Sequence, residues 1–150
     1  MPLWRPCLAV ACAAMSERVR ISSGLAFELI AGYSRAVRVG EQVWVSSTAP
    51  LEADGSCAGA VEDQFRRCCQ IIDSALAQCG GSLADVVRTR VYLVDPMDAD
   101  VVARTHGEVF AEARPANTMV AVRSLLSPDW RVEVEVDAVI GTLVREPRTG

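Results

Sequence analysis

The stretch Val61-Glu62-Asp63-Gln64-Phe65-Arg66-Arg67-Cys68-Cys69-Gln70-Ile71-Ile72-Asp73-Ser74-Ala75-Leu76-Ala77-Gln78-Cys79-Gly80-Gly81 is followed, four residues later, by Val86-Val87-Arg88-Thr89-Arg90-Val91-Tyr92-Leu93-Val94. Val61, Phe65, Cys68, Ile72, Ala75 and Cys79 recur at steps of three and four, and Ile71 and Leu76 widen the stripe. That period predicts a helix with one apolar side turned to a core. Glu62 and Asp63 sit at its positive end, and Gly80-Gly81 supplies the left-handed stop. The segment after it is rich in β-branched residues and is closed by Asp95-Pro96, so it reads as a strand.

Downstream, Val101, Val102, Thr105, Val109 and Phe110 predict a second helix over about Ala99–Ala111, broken at Arg114-Pro115-Ala116. Strands follow over Asn117–Val122 and Arg131–Ile140. The last one alternates, with Val132, Val134, Val136 and Ala138 on one face and Arg131, Glu133, Glu135 and Asp137 on the other. Upstream, Val19-Arg20-Ile21 is a short strand, and Ala36–Val39 and Gln42–Ser46 form a hairpin around Gly40-Glu41. Thr48–Gly59 reads as a loop. The order is β-β-β-α-β-α-β-β. Its two β-α-β crossovers imply an α/β (α+β) single domain, a six-stranded mixed sheet with two helices on one face. The opposite face is left open, carrying Arg88, Arg90, Tyr92, Glu133 and Glu135, and such a face calls for an oligomeric partner.

The net charge of −4 and the 5% aromatic content exclude a general nucleic-acid grip, which needs a basic surface or a stacking platform. No stretch approaches the roughly 20 apolar residues that span a bilayer. Six cysteines at 7, 12, 57, 68, 69 and 79 form no CxxC pair, and the chain has one histidine, so free thiols in a cytoplasmic protein are expected and a metal site is not. Residues 1–14 are read as a start-site extension or disordered tail, and residues 15–150 as the domain, because Met15-Ser16-Glu17 looks like a natural start.

Five segments carry a family resemblance: Ile30-Ala31-Gly32-Tyr33-Ser34-Arg35-Ala36-Val37, Val43-Trp44-Val45-Ser46-Ser47-Thr48-Ala49-Pro50, Gly81-Ser82-Leu83-Ala84-Asp85-Val86-Val87-Arg88-Thr89, Arg114-Pro115-Ala116-Asn117-Thr118 and Val132-Glu133-Val134-Glu135-Val136-Asp137-Ala138. In this order and spacing, over roughly residues 19–140, they resemble the Rid (reactive intermediate deaminase, YjgF-like) family. The resemblance implies a chorismate-mutase-like fold with the last strand between the third and fourth. It also implies a homotrimer with ligand clefts between subunits, and hydrolysis of 2-imino acids and their enamine tautomers without metal or organic cofactor. By the same resemblance Tyr33 lines the pocket, Ser46 donates a hydrogen bond and Glu133 positions water. The family's carboxylate-binding arginine falls on Asn117. Asparagine supplies no charge, and losing a desolvated bidentate contact costs about 2–5 kcal/mol.

Glu133 is thus the catalytic candidate, with an ion pair to Arg88 or Arg90 as the competing structural reading. Tyr33, Ser46, Asn117 and Arg90 are the substrate-binding candidates. Arg90 shares the open face with Glu133 by strand parity and is either a replacement anchor or half of a cross-strand ion pair. His106 is expected to be structural or superficial, and Trp130 either walls the cleft or covers an interface. The leading function is hydrolysis of an imine, enamine or similar reactive small molecule in an intersubunit cleft. The alternative is a trimer that binds a small molecule without transforming it. Ribonuclease activity, attached by name to some relatives, has least support.

Overall fold

A computed structural model describes residues 17–57 and 59–142. The expectations for the tail at 1–14, the start at Met15 and the thiols of Cys7 and Cys12 lie outside the described residues. The elements are β1 (Arg18–Ile21), α1 (Ala26–Ala31), β2 (Ala36–Val39), β3 (Gln42–Thr48), α2 (Val61–Gln78), β4 (Val86–Leu93), α3 (Ala99–Val109), β5 (Ala116–Ala121) and β6 (Val132–Val139). Short 3₁₀ turns at Leu83–Asp85 and Pro96–Asp98 lead into β4 and α3.

The six strands lie in the order β1-β2-β3-β6-β4-β5. All neighbours are antiparallel except β4 and β5. The sheet is therefore mixed, and β6 sits between β3 and β4 as the resemblance implied. Val132, Val134, Val136 and Ala138 of β6 are buried, and Phe65, Ile72 and Leu76 of α2 meet the sheet from that side. Ala36, Val43, Val45, Val86, Val91 and Leu93 add to the sheet's contribution, and Val102 with Phe110 join from the α3 side. Each of the valine, leucine, isoleucine and phenylalanine side chains among them contributes about 1.5–3 kcal/mol through burial. Gln64, also buried, knits α2 to the approach of β6. Its amide donates to the Asp129 carbonyl at 2.9 Å, and its Oε1 accepts from the Arg131 N–H at 2.8 Å.

Two departures from the sequence reading affect the site. A third, short helix, α1, occupies the segment between β1 and β2; it exposes Phe27, Leu29 and Ile30 and tucks Glu28 inward. There the Glu28 carboxylate accepts from Ser22 Oγ at 2.5 Å and from the Ser23 N–H at 2.9 Å, and these hydrogen bonds lower its pKa against the desolvation that raises it. Second, β3 runs two residues further, to Thr48, and its register against β6 shifts between Val45 and Thr48. The bulge matters because it lies beside the candidate residues. Among the described residues no helix is long and apolar enough to cross a membrane.

Candidate functional site

Residues one apart on a strand face opposite sides, so the open face can be read strand by strand. From one edge to the other it carries Arg18 and Arg20 on β1, Val37 and Val39 on β2, Trp44 and Ser46 on β3, Glu133, Glu135 and Asp137 on β6, Arg88, Arg90 and Tyr92 on β4, and Thr118 and Val120 on β5. An acidic stripe thus runs down the centre.

Within that stripe the carboxylates are not equivalent. Arg90 Nη1 donates to Glu135 Oε1 at 3.0 Å and its Nη2 donates to Asp137 Oδ2 at 3.2 Å, forming a cross-strand network. Glu133 is served instead by a neutral donor, the Ser47 hydroxyl, at 2.6 Å from Oε2. The ion pair between Glu133 and Arg90 that the sequence allowed is replaced by this arrangement, because Arg90 lies directly opposite Glu135 while Tyr92 is opposite Glu133. The Tyr92 hydroxyl has its pKa raised by burial and by the Glu135 charge.

Ser47 owes its place to Arg35. This side chain is 8% exposed and inserts its guanidinium under the β3 bulge. It donates from Nη1 to Thr48 Oγ1 at 2.9 Å and to the Ser47 carbonyl at 3.4 Å. Its Nε is buried without a hydrogen-bond partner among the described residues. The bulge is thereby clamped from the core side while Ser47 Oγ points to Glu133.

Tyr33 and Ser46 come together in a concavity of about 520 Å³ that Arg18, Arg20 and Trp44 also line. Ser46 Oγ donates to the Ser34 carbonyl at 2.8 Å, and Tyr33 meets Phe27 of α1 edge to face at 6.3 Å. Trp130 falls elsewhere, in a second concavity of about 450 Å³ shared with Cys57, Gln64 and Asp129.

Asn117 is not in either group. It lies on β5 at the far edge of the sheet, in register with Thr89 and on the helix-covered side. Its Nδ2 donates to Thr89 Oγ1 at 2.8 Å and stands 3.2 Å from His106 Nε2, which is also 2.9 Å from Thr89 Oγ1. His106 stacks near Phe110 at 4.7 Å, and burial lowers its pKa, so the imidazole is held neutral. A single chain therefore brings Tyr33 and Ser46 together, sets Glu133 next to Ser47, and leaves Asn117 beside a histidine, two strands away from Glu133 and three from β3.

Sequence reasoning did not single out Ser47, Arg35 or Thr89. A polar Thr89 at a core parity position, in a strand otherwise apolar on that side, was the one readable sign of a buried polar contact. Cys68 and Cys69 are buried thiols, Cys68 pushed well above its ordinary value and Cys69 up to about 12, both chiefly by desolvation. Among the described residues no group of three or more His, Cys, Asp or Glu is arranged to hold a metal ion.

The chain belongs to the endoribonuclease L-PSP family, whose model matches residues 24–140, the same YjgF-like group that the five segments resemble. A protein of Streptomyces coelicolor, the uncharacterized SCO2049, is 34% identical over 130 residues, covering 85% of this chain and 97% of that relative. The 3-aminoacrylate deaminase RutC of Acinetobacter baylyi is 32% identical over 107 residues, covering 70% and 84%. Among solved structures, Rv2704 of Mycobacterium tuberculosis, a member of the YjgF/YER057c/UK114 family, superposes with a TM-score of 0.76 at 40% identity, covering 83% of this chain and all of that one.

Proposed function

We propose that this protein hydrolyses the C=N bond of a small imine, or of an enamine after tautomerisation, in a cleft completed by a second copy of the chain within a homotrimer. The observation that carries the reading is Glu133: a carboxylate on the open face, held by the Ser47 hydroxyl and not neutralised by the arginine that takes its neighbours. Such a group is free to accept a proton. Glu133 takes one from water as the water oxygen bonds to the imine carbon and passes it to the imine nitrogen, giving a carbinolamine. Glu133 then takes the proton of the new hydroxyl and delivers it to the amine, so that the C=O bond forms as the C–N bond breaks and ammonia leaves a carbonyl product. One water is consumed and the carboxylate is regenerated.

The wide separation of Tyr33 and Ser46 from Asn117 across one sheet supports a site assembled between copies. The relative named as a deaminase supports the reaction class. The free thiols of Cys68, Cys69 and Cys79 fit a reducing, cytoplasmic setting.

The test is ammonia release from enzymatically generated imines, comparing wild type with Glu133→Gln at equal oligomeric mass. The amide keeps the shape and removes the base, so turnover is expected to fall by about 10²–10⁴-fold. A Glu133→Gln protein as active as wild type would discard the mechanism. Ligand binding without turnover in either protein would favour the sequestering role instead. Sedimentation equilibrium giving the 16.1 kDa monomer would remove the shared cleft.

A further inference from the structure

We propose that Arg35 is a positioning residue for the hydrolysis: its buried guanidinium holds the β3 bulge in the arrangement that turns Ser47 toward Glu133. That role rests on the imine reading above, in which Glu133 is the base.

In an unbroken strand, successive residues alternate between faces. Trp44 is exposed on the open face and Val45 is buried in the core, so strict alternation sends Ser46 outward, Ser47 inward and Thr48 outward. The last two are reversed. Thr48 is 1% exposed on the core side, while Ser47 Oγ donates to Glu133 Oε2 at 2.6 Å on the open side. The bulge makes this exchange. Val45 is paired with Val136 and Thr48 with Val134, so Ser46 and Ser47 together stand opposite Glu135 alone. One extra residue returns Thr48 to the core and leaves Ser47 facing the carboxylates.

Such an insertion takes backbone carbonyls off the ladder, and they then need other donors. Arg35 is placed to supply them. Its own carbonyl accepts from the Ser46 N–H at 3.0 Å, which sets it across from the bulge. Its Nη1 donates to Thr48 Oγ1 at 2.9 Å, to the Ser47 carbonyl at 3.4 Å and to the Ser46 carbonyl at 3.5 Å. Thr48 Oγ1 donates in turn to the Ser46 carbonyl at 2.8 Å, so one guanidinium nitrogen and one hydroxyl brace three consecutive residues. A structural ion pair does not account for this arrangement. Glu28 is the buried carboxylate that attracts Arg35 electrostatically, yet its oxygens accept from Ser22 and Ser23. The guanidinium's hydrogen bonds to described residues all end on the bulge, and Nε is buried with no partner among them. A buried donor left open is uncommon and destabilising. Here it accompanies the one segment that orients the catalytic carboxylate. With Oε2 taken by Ser47, Oε1 is the Glu133 oxygen left for water. Arg35 acts on that carboxylate only through Ser47.

The experiment is a pair of double-variant cycles on the full-length oligomer. Imine hydrolysis gives kcat and KM, and ¹³C-glutamate labelling gives the Glu133 carboxyl signal, assigned with Glu133→Gln. Arg35→Met and Thr48→Val are each expected to lower kcat about tenfold, the worth of one misdirected hydrogen bond to a charged group, with KM little changed. Each should also move the Glu133 carboxyl signal in the direction that Ser47→Ala moves it. In a Ser47→Ala background neither should have a further effect on either readout, because the group they act through is gone. Thr48→Val keeps the guanidinium, so it carries the test if melts and oligomeric mass show that Arg35→Met does not assemble. Losses that add to those of Ser47→Ala, a carboxyl signal unmoved in Thr48→Val, or an unchanged kcat in that variant would each overturn the proposal. The carboxyl signal is read without turnover. Absence of imine hydrolysis in wild type would therefore remove the reaction proposed above, while coupled carboxyl shifts would still establish the link from Arg35 to Glu133 and additive ones would still refute it.

Discussion

Along β6, Val132, Val134, Val136 and Ala138 are buried beneath α2, while Glu133, Glu135 and Asp137, each one residue away, lie on the side without helices. The first set meets hydrocarbon; the second meets a serine, an arginine and solvent. The same backbone thus supports two surfaces with different tasks. On the covered side, contacts are many and interchangeable, and what matters is volume. On the open side, contacts are few and particular, and what matters is which donor serves which carboxylate. The chain can alter Glu133's partner without touching the core. The distinction also identifies where changes should reduce stability and where they should alter chemistry.

The largest expected effect on stability lies on the covered side. Ile72 is fully buried, and Ile72→Ala should lower the unfolding free energy by about 2–5 kcal/mol in urea melts, with a cavity left behind. A loss near zero would mean that α2 is not pressed on the sheet as described. An intermediate effect concerns His106, one of the polar side chains on that side. Its folded-state pKa lies below the ordinary 6.5 because burial disfavours the imidazolium. The unfolded chain then binds the proton more readily, so this contribution is fully present above about pH 6.5 and is lost as pH falls below it toward the folded value. Urea midpoints of wild type should drop between pH 7.5 and 5.5 by more than those of His106→Phe. Equal drops would show that the imidazole is not desolvated. The smallest effect belongs to the open side. Arg90→Ala removes an ion-pair network that is part-exposed, and its cost should be barely detectable and smaller still in high salt. A large loss would mean that this face is sealed by more than water, sharpening the case for a partner copy.

Much of the covered side was legible in the chain itself. The three-four spacing from Val61 to Cys79 and the alternation from Val132 to Ala138 each state their burial by period alone, and both elements fall where that period places them. α1 was not legible, because Leu25, Phe27, Leu29 and Ile30 are apolar yet exposed, so the six-residue helix between Gly24 and Gly32 shows no amphipathic pattern. The extension of β3 to Thr48 was hidden by a bulge that breaks the alternation. At the candidate site, strand parity correctly placed Glu133 and Arg90 on one face but could not give the register that sets Arg90 against Glu135. Asn117 meets Thr89 across 28 residues of chain and His106 across 11. That meeting depends on the parallel register of β4 and β5, which no local spacing encodes.

The position of β6 also governs how the molecule can be born. β1, β2 and β3 form one antiparallel group and β4 with β5 another, and only β6 hydrogen-bonds to both. A nascent chain emerging from the ribosome can pair each group early, but neither has its inner edge closed until Val132–Val139 arrives. Until then the strand edges of β3 and β4 and the apolar side of α2 wait unsatisfied, a state prone to pairing with other chains. Joining the groups also demands contacts between residues far apart in sequence, which slows the final step. The strand that bears Glu133 is therefore also the keystone whose late insertion converts two half-sheets into one.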